Sequence, residues 1–143
     1  MVSTLILTHG GLARELLASA ETIAGRLPAF RALCLEWNEG PDQAAGKISD
    51  ALAELDEGDG VIILTDMYGG TPNNVAQRFQ EAGHVEVVSG VNLPMVLRLG
   101  CRSGGGCESM PVGELARWLE TKGRQSVRRV SDGTGRGGAG NAG

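Results

Sequence analysis

Two rhythms of apolar and polar positions alternate along this chain. Val2–Thr8 (VSTLILT) is a short, largely apolar run that Gly10–Gly11 interrupts, after which Leu12, Leu16 and Ile23, with neighbouring alanines, recur at helical spacing. That order predicts a strand, a tight turn and a helix. Ala32–Trp37 (ALCLEW) alternates loosely, Gly40–Pro41 breaks it, and Asp42 stands where it can cap a helix carrying Ala45, Ile48, Leu52 and Leu55. Gly60–Thr65 (GVIILT) predicts a third, apolar strand and Asp66–Pro72 (DMYGGTP) a turn. Thr71 then suits an N-cap, and Pro72 the first position of a helix reaching about Ala82. Val85–Val88 (VEVV) predicts a fourth strand, Ser89–Pro94 a connection and Met95–Leu99 a short helix.

Strands alternating with helices predict an α/β fold built on an open, mostly parallel four-stranded sheet with helices on both faces. The continuous apolar character of Gly60–Thr65 suits a central strand. Arg102–Ser109 (RSGGGCES) reads as a loop, and Pro111–Lys122 as a closing helix with Val112, Leu115, Trp118 and Leu119 on its apolar side and Gly123 as its C-cap. Arg124–Ser131 is basic and alternates poorly, but can supply a final strand. Residues 132–143 hold no apolar anchor, and six of the last eleven residues are glycine, so a disordered tail is expected after a domain spanning 1–131.

Composition narrows the function classes. With 143 residues and 41% hydrophobic content, the chain fits one domain with a real core. No apolar run approaches the roughly 20 residues that cross a bilayer, and the N-terminus shows no basic leader, so a cytoplasmic location is expected. Cys34, Cys101 and Cys107 lack the paired short spacings of a zinc site and are read as reduced. A formal charge of −4 argues against general binding to nucleic acid, which needs many phosphates neutralised by Lys and Arg.

The chemistry is expected at the carboxyl ends of the strands, where open α/β sheets bind ligands. His9 falls there after strand one, Asp66 after strand three and Asn92 after strand four. Turns collect polar residues anyway, which suffices for a lone Asn; His9 and Asp66 each follow an apolar strand and come shortly before Gly-Gly, which favours function. A carboxylate that accepts one imidazole N–H leaves the other nitrogen as a nucleophile and stabilises positive charge on the ring. Glycines clear the space around the ring, and the helix starts after Gly10–Gly11 and Gly69–Gly70, with the Thr71 hydroxyl, offer donors to an anion. A phosphoryl group fits that environment. The glycine turns match neither a P-loop nor a dinucleotide fingerprint, and no G-x-S-x-G elbow is present. His84 precedes strand four at the other end of the sheet and reads as a surface residue, and Arg14 either attracts an anionic donor or is an ordinary solvated helix charge. A flavodoxin-like cofactor site would want aromatics at the rim, where Tyr68 alone is expected.

The blocks THGGLARELL (8–17), TDMYGGTPNNVA (65–76) and SGVNLPM (89–95), in this order and spacing, resemble the IIA component of the mannose family of the bacterial phosphoenolpyruvate:sugar phosphotransferase system. The resemblance covers roughly residues 1–131. It implies that His9 accepts a phosphoryl group from the phosphocarrier protein HPr and passes it to a IIB component, with Asp66 hydrogen-bonded to the histidine. It further implies that Gly10, Gly11, Gly69, Gly70 and Thr71 surround the phosphoryl group, and that neither metal nor cofactor takes part. The membrane would be reached only indirectly, through IIC and IID components. The resemblance also implies a homodimer in which the last strand, here Arg124–Ser131, crosses over and pairs antiparallel with the other subunit's sheet. Members of this fold also serve as regulatory modules or as phosphoryl donors to dihydroxyacetone kinase, and both alternatives require the same two residues.

Overall fold

The computed structural model describes residues 1–101 and 110–133. The predicted loop Arg102–Ser109 and the tail from residue 134 onward lie outside the described residues. Four strands, β1 (Ser3–His9), β2 (Phe30–Leu35), β3 (Val61–Thr65) and β4 (Val85–Ser89), form one parallel sheet in the order β2–β1–β3–β4. The connections carry α1 (Leu12–Ala24), α2 (Pro41–Leu55) and α3 (Thr71–Ala76); α4 (Leu93–Gly100), α5 (Val112–Gln125) and α6 (Val130–Gly133) follow β4.

The two central strands are apolar on both sides because both sides are covered. Ile6 of β1 with Ile62 and Leu64 of β3 packs against Ala13 and Ala20 of α1, Val96 and Leu99 of α4 and Leu115 and Leu119 of α5. The alternate residues Leu5, Leu7, Val61 and Ile63 face Ala44, Ile48 and Ala51 of α2 and Val75 of α3. The period-two alternation of a strand thus appears as two cores. Each fully buried Leu or Ile contributes about 1.5–3 kcal/mol relative to exposure, so these shared strands anchor the fold. From β1 the chain moves outward to β2, then returns to the far side of β1 to place β3. Strand order therefore reverses between β1 and β3, which opens a crevice beyond their carboxyl ends.

Several local expectations give way to tertiary context. Gly40, not Asp42, is the N-cap of α2, and Pro41 occupies the first turn, where its missing N–H costs nothing. Gly70 likewise precedes α3, so Thr71 opens the helix rather than capping it. The α-helical part of that segment ends at Ala76 and a single 3-10 turn, Gln77–Phe79, follows. The helix cannot reach Ala82 because Glu81 already exchanges backbone hydrogen bonds with Val85 at the start of β4 (2.9 and 2.8 Å).

The predicted final strand at Arg124–Ser131 is absent from the described chain: Arg124 and Gln125 complete α5, and Val130 begins α6. Gly123 is no C-cap but a buried residue inside α5. A Cβ there would stand 2.7 Å from the Met95 sulfur, so glycine is what lets α5 approach α4. The Glu120–Arg124 ion pair (2.9 Å, one turn apart) carries the helix past it. The edge of β4 is also partly occupied, because the Gln80 carboxamide accepts the Val87 N–H (3.0 Å) and donates to Glu86 (2.9 Å).

Candidate functional site

His9 is the last residue of β1 and Asp66 the first beyond β3, so the crevice between these neighbouring strands brings them together. One Asp66 oxygen, Oδ2, accepts the backbone N–H of His9 (2.9 Å) and lies 2.8 Å from its Nδ1. The other, Oδ1, accepts the Met67 N–H (3.0 Å). An ionised carboxylate only accepts, so Nδ1 carries the proton and the lone pair of the neutral ring sits on Nε2. Both side chains are largely but not wholly covered, at 17% and 12% exposure, which strengthens their interaction while leaving the ring reachable.

Local sequence fixes this geometry. The Thr8 hydroxyl accepts the Ala13 N–H (2.7 Å) and donates to the His9 carbonyl (3.1 Å), tying the end of β1 to the first turn of α1. It does the capping work that Gly11 cannot. Gly10 turns the chain at φ +54°, the left-handed region, and its N–H donates to the Leu35 carbonyl (2.9 Å). A Cβ on Gly70 would come within 3.1 Å of His9 Cε1 and 3.2 Å of Met67 Cγ, so any side chain there would crowd the ring. Thr65, at the end of β3, donates to Asn73 (3.1 Å), holding the start of α3 against the sheet.

The remaining sequence candidates are distributed around this pair. Gly11 lies under the Arg14 guanidinium, where a Cβ would be 2.7 Å from its nitrogen. Arg14 is thus folded over the turn, also near Glu15 (3.9 Å). Gly69 accepts from the Asn74 amide through its carbonyl (3.1 Å), and Thr71 is exposed at the start of α3. Asn92 has a structural role, accepting the Met95 N–H (3.0 Å) as the N-cap of α4. His84 is far from the crevice, paired with Asp56 (2.6 Å). The expectation that Tyr68 alone brings an aromatic ring to the rim is corrected by Trp37: its indole stacks on the His9 imidazole with centroids 4.5 Å apart.

A half-buried Asp holding Nδ1 of a His, with Nε2 unengaged and glycine backbone on the near side, can make the ring a nucleophile toward an electrophilic centre that tolerates no crowding. Comparison with known proteins narrows this chemistry. The family model described as PTS system fructose IIA component (EIIA-man), of the phosphotransferase system, matches residues 3–103. The PTS system mannose-specific EIIAB component of Escherichia coli (strain K12) is 35% identical over 97 residues, which are 67% of this chain and 30% of that longer protein. The PTS system fructose-specific EIIA component of Bacillus subtilis (strain 168) is 33% identical over 100 residues, covering 69% of this chain and 68% of that one. The structure of the mannose/sorbose specific IIA subunit from Enterococcus faecalis superposes with a TM-score of 0.77 at 28% identity, over 90% of this chain and 93% of that one. The EIIA structure from Streptococcus agalactiae shares the fold, with a TM-score of 0.79 at 22% identity over 92% and 99% of the two chains. The chain belongs to the mannose/fructose family of phosphotransferase-system IIA components.

Proposed function

We propose that this chain is a phosphoryl carrier in which His9 Nε2 accepts a phosphoryl group from HPr and hands it to a IIB component. The observation that carries this reading is the Asp66–Nδ1 contact at 2.8 Å, which leaves Nε2 as the nucleophilic nitrogen. The lone pair of Nε2 forms the new N–P bond while the donor's bond to phosphorus breaks and its electron pair stays with the donor. The Nδ1 proton remains between ring and carboxylate, so the phosphorylated ring is cationic and Asp66 offsets its charge. Transfer to the acceptor reverses these steps. Because the phosphoryl group passes through a loose transition state, the protein's task is alignment and charge stabilisation. Gly10, Gly11, Gly69, Gly70 and Thr71 are proposed to leave room and donors for the phosphoryl oxygens.

Incubation with phosphoenolpyruvate, enzyme I and HPr, followed by intact mass measurement, tests the reading. One added phosphoryl group is expected, lost in acid and stable in alkali; an unlabelled chain under conditions that label HPr overturns it.

The proposed assembly is a homodimer. A groove of about 800 Å³ runs beside the β4 edge, lined by Val87 and Ser89 of β4 and by Arg117 and Arg124 of α5. In this reading it receives the segment that follows α5 in a second copy, displacing Gln80 from the Val87 N–H. A dimer by light scattering that weakens when the chain ends at Gln125, the last residue of α5, is the expected outcome; a monomeric full chain overturns it.

A further inference from the structure

Trp37 is 78% exposed, yet its indole lies nearly flat on the His9 imidazole, with the planes 14° from parallel. The turn that carries it, between β2 and α2, is closed twice. The Glu39 N–H donates to the Glu36 carbonyl (3.1 Å), and the Glu39 carboxylate accepts the Glu36 N–H (2.9 Å). The second Glu39 oxygen meets Lys47 of α2 at 2.7 Å, which anchors the turn to a rigid helix. Gly10 completes the arrangement, since a Cβ at that position would press on the indole Nε1 at 3.3 Å. The imidazole is therefore bounded in its own plane by Asp66 at Nδ1, at its Cε1 edge by Gly70, and on one face by Trp37.

We propose that Trp37 is a positioning residue for His9: its indole fixes the plane of the imidazole and stabilises the charge that the ring gains with the phosphoryl group. The proposal rests on the carrier reading above. In that step Nε2 bonds to phosphorus, the donor's electron pair stays on the donor and the Nδ1 proton does not move, so a neutral ring becomes cationic. A cation within about 6 Å of an indole face is attracted by its π system, and an offset parallel stack is a favourable geometry for two such rings. Trp37 therefore favours the phosphorylated state over the free one. A residue that only docked the donor would behave differently. It would change forward and reverse transfer by the same factor and leave the equilibrium between free proteins unmoved.

The test uses the full chain as wild type, Trp37→Ala, Trp37→Leu and Trp37→Phe, each brought to equilibrium with phosphorylated HPr and quantified by intact mass. The Ala and Leu variants should lower the equilibrium constant for phosphoryl gain about two- to fivefold, the range of an exposed cation–π contact, while Phe restores most of it. Leu keeps an apolar cover without a π face, which separates shielding from charge stabilisation. Wild-type indole emission should change on phosphorylation. Trp37→Phe, which retains Trp118, should show no such change. Equilibria in Trp37→Ala and Trp37→Leu equal to wild type, even with slower transfer, overturn the proposal and leave the carrier reading intact; a wild type that accepts no phosphoryl group overturns the carrier reading itself.

Discussion

The chain carries two histidine–aspartate pairs, one at each end of its sheet. At the carboxyl end His9 meets Asp66 at 2.8 Å; at the amino end His84 meets Asp56 at 2.6 Å. Distance and residue types do not separate them. What differs is which nitrogen is engaged and what surrounds the other. His9 uses Nδ1 and presents Nε2, the nitrogen farther from the backbone, into a crevice cleared by Gly70 and backed by Trp37. His84 uses Nε2, leaving Nδ1 beside its own main chain. That main chain is committed to the sheet: the His84 carbonyl accepts the Val61 N–H (2.9 Å), and its N–H donates to the Glu81 carbonyl (2.8 Å). A Cβ on Gly60 would lie 2.6 Å from the same carbonyl. Exposure differs as well, 40% and 23% at the lower pair against 17% and 12% at the upper. In the proposed reading the upper pair is the reactive one because it leaves the outer ring nitrogen, Nε2, unengaged, whereas at the lower pair Nε2 is taken by Asp56.

The largest effect expected from this contrast is all-or-none. His9→Ala should abolish labelling by phosphorylated HPr, whereas His84→Ala should label to the same stoichiometry as wild type, as read by intact mass. Label that persists without His9, or disappears without His84, would break the distinction between the two ends.

Next in size is the carboxylate that holds the His9 ring. Asp66→Asn keeps a hydrogen-bond acceptor near Nδ1 but cannot offset the positive charge that the ring acquires. Rapid-quench measurement of transfer from HPr should show a rate lower by on the order of 100-fold or more, with the far-ultraviolet circular dichroism of a folded protein. Wild-type rates would reduce Asp66 to a turn residue and make the two pairs alike.

The strands and the meeting of His9 with Asp66 were legible in the sequence for a shared reason. Buried parallel strands read as continuous apolar runs, and a polar residue following each run must emerge at the carboxyl rim, which gives His9 and Asp66 without knowledge of strand order. Trp37 was not legible that way, because its place beside His9 depends on β2 lying next to β1. With His9 opposite Leu35 in the register, a residue two beyond Leu35 reaches the histidine. The closure of its turn by Glu39 and Lys47 is a tertiary matter that spacing does not announce. Gly123 misled for the opposite reason. A glycine near a helix end reads locally as a cap, while its contact with Met95 comes from the packing of α4 on α5. Thr8 left a signal, a hydroxyl at the strand end before a helix, that points to its capping bond with Ala13.

The smallest expected effect lies at the lower pair and concerns stability rather than transfer. The Gly58 N–H, donated to the Asp56 carboxylate at 2.8 Å, is the main cause that holds this group below the usual carboxylate range. Partial burial opposes it; the charge and hydrogen bond of His84 and the Gly60 N–H add to it. A carboxyl lowered by folding contributes stability that is fully present above its unfolded titration range and is lost as pH falls through the folded value. Asp56→Asn retains an oxygen for the Gly58 N–H but removes the charge. Because the pair is solvent-screened, the cost near neutral pH should be under about 1 kcal/mol, or roughly 1–4 °C in melting temperature. That difference should shrink toward zero as the pH is taken below the ordinary carboxylate range, because wild-type Asp56 is then neutral too. Thermal melts of both proteins from pH 7 down to acid, with labelling of the variant at neutral pH, test this. A difference that stays constant through the acid range would assign the contribution of Asp56 to shape rather than charge, and slowed phosphoryl transfer in the variant would couple two ends of the sheet that the structure keeps apart.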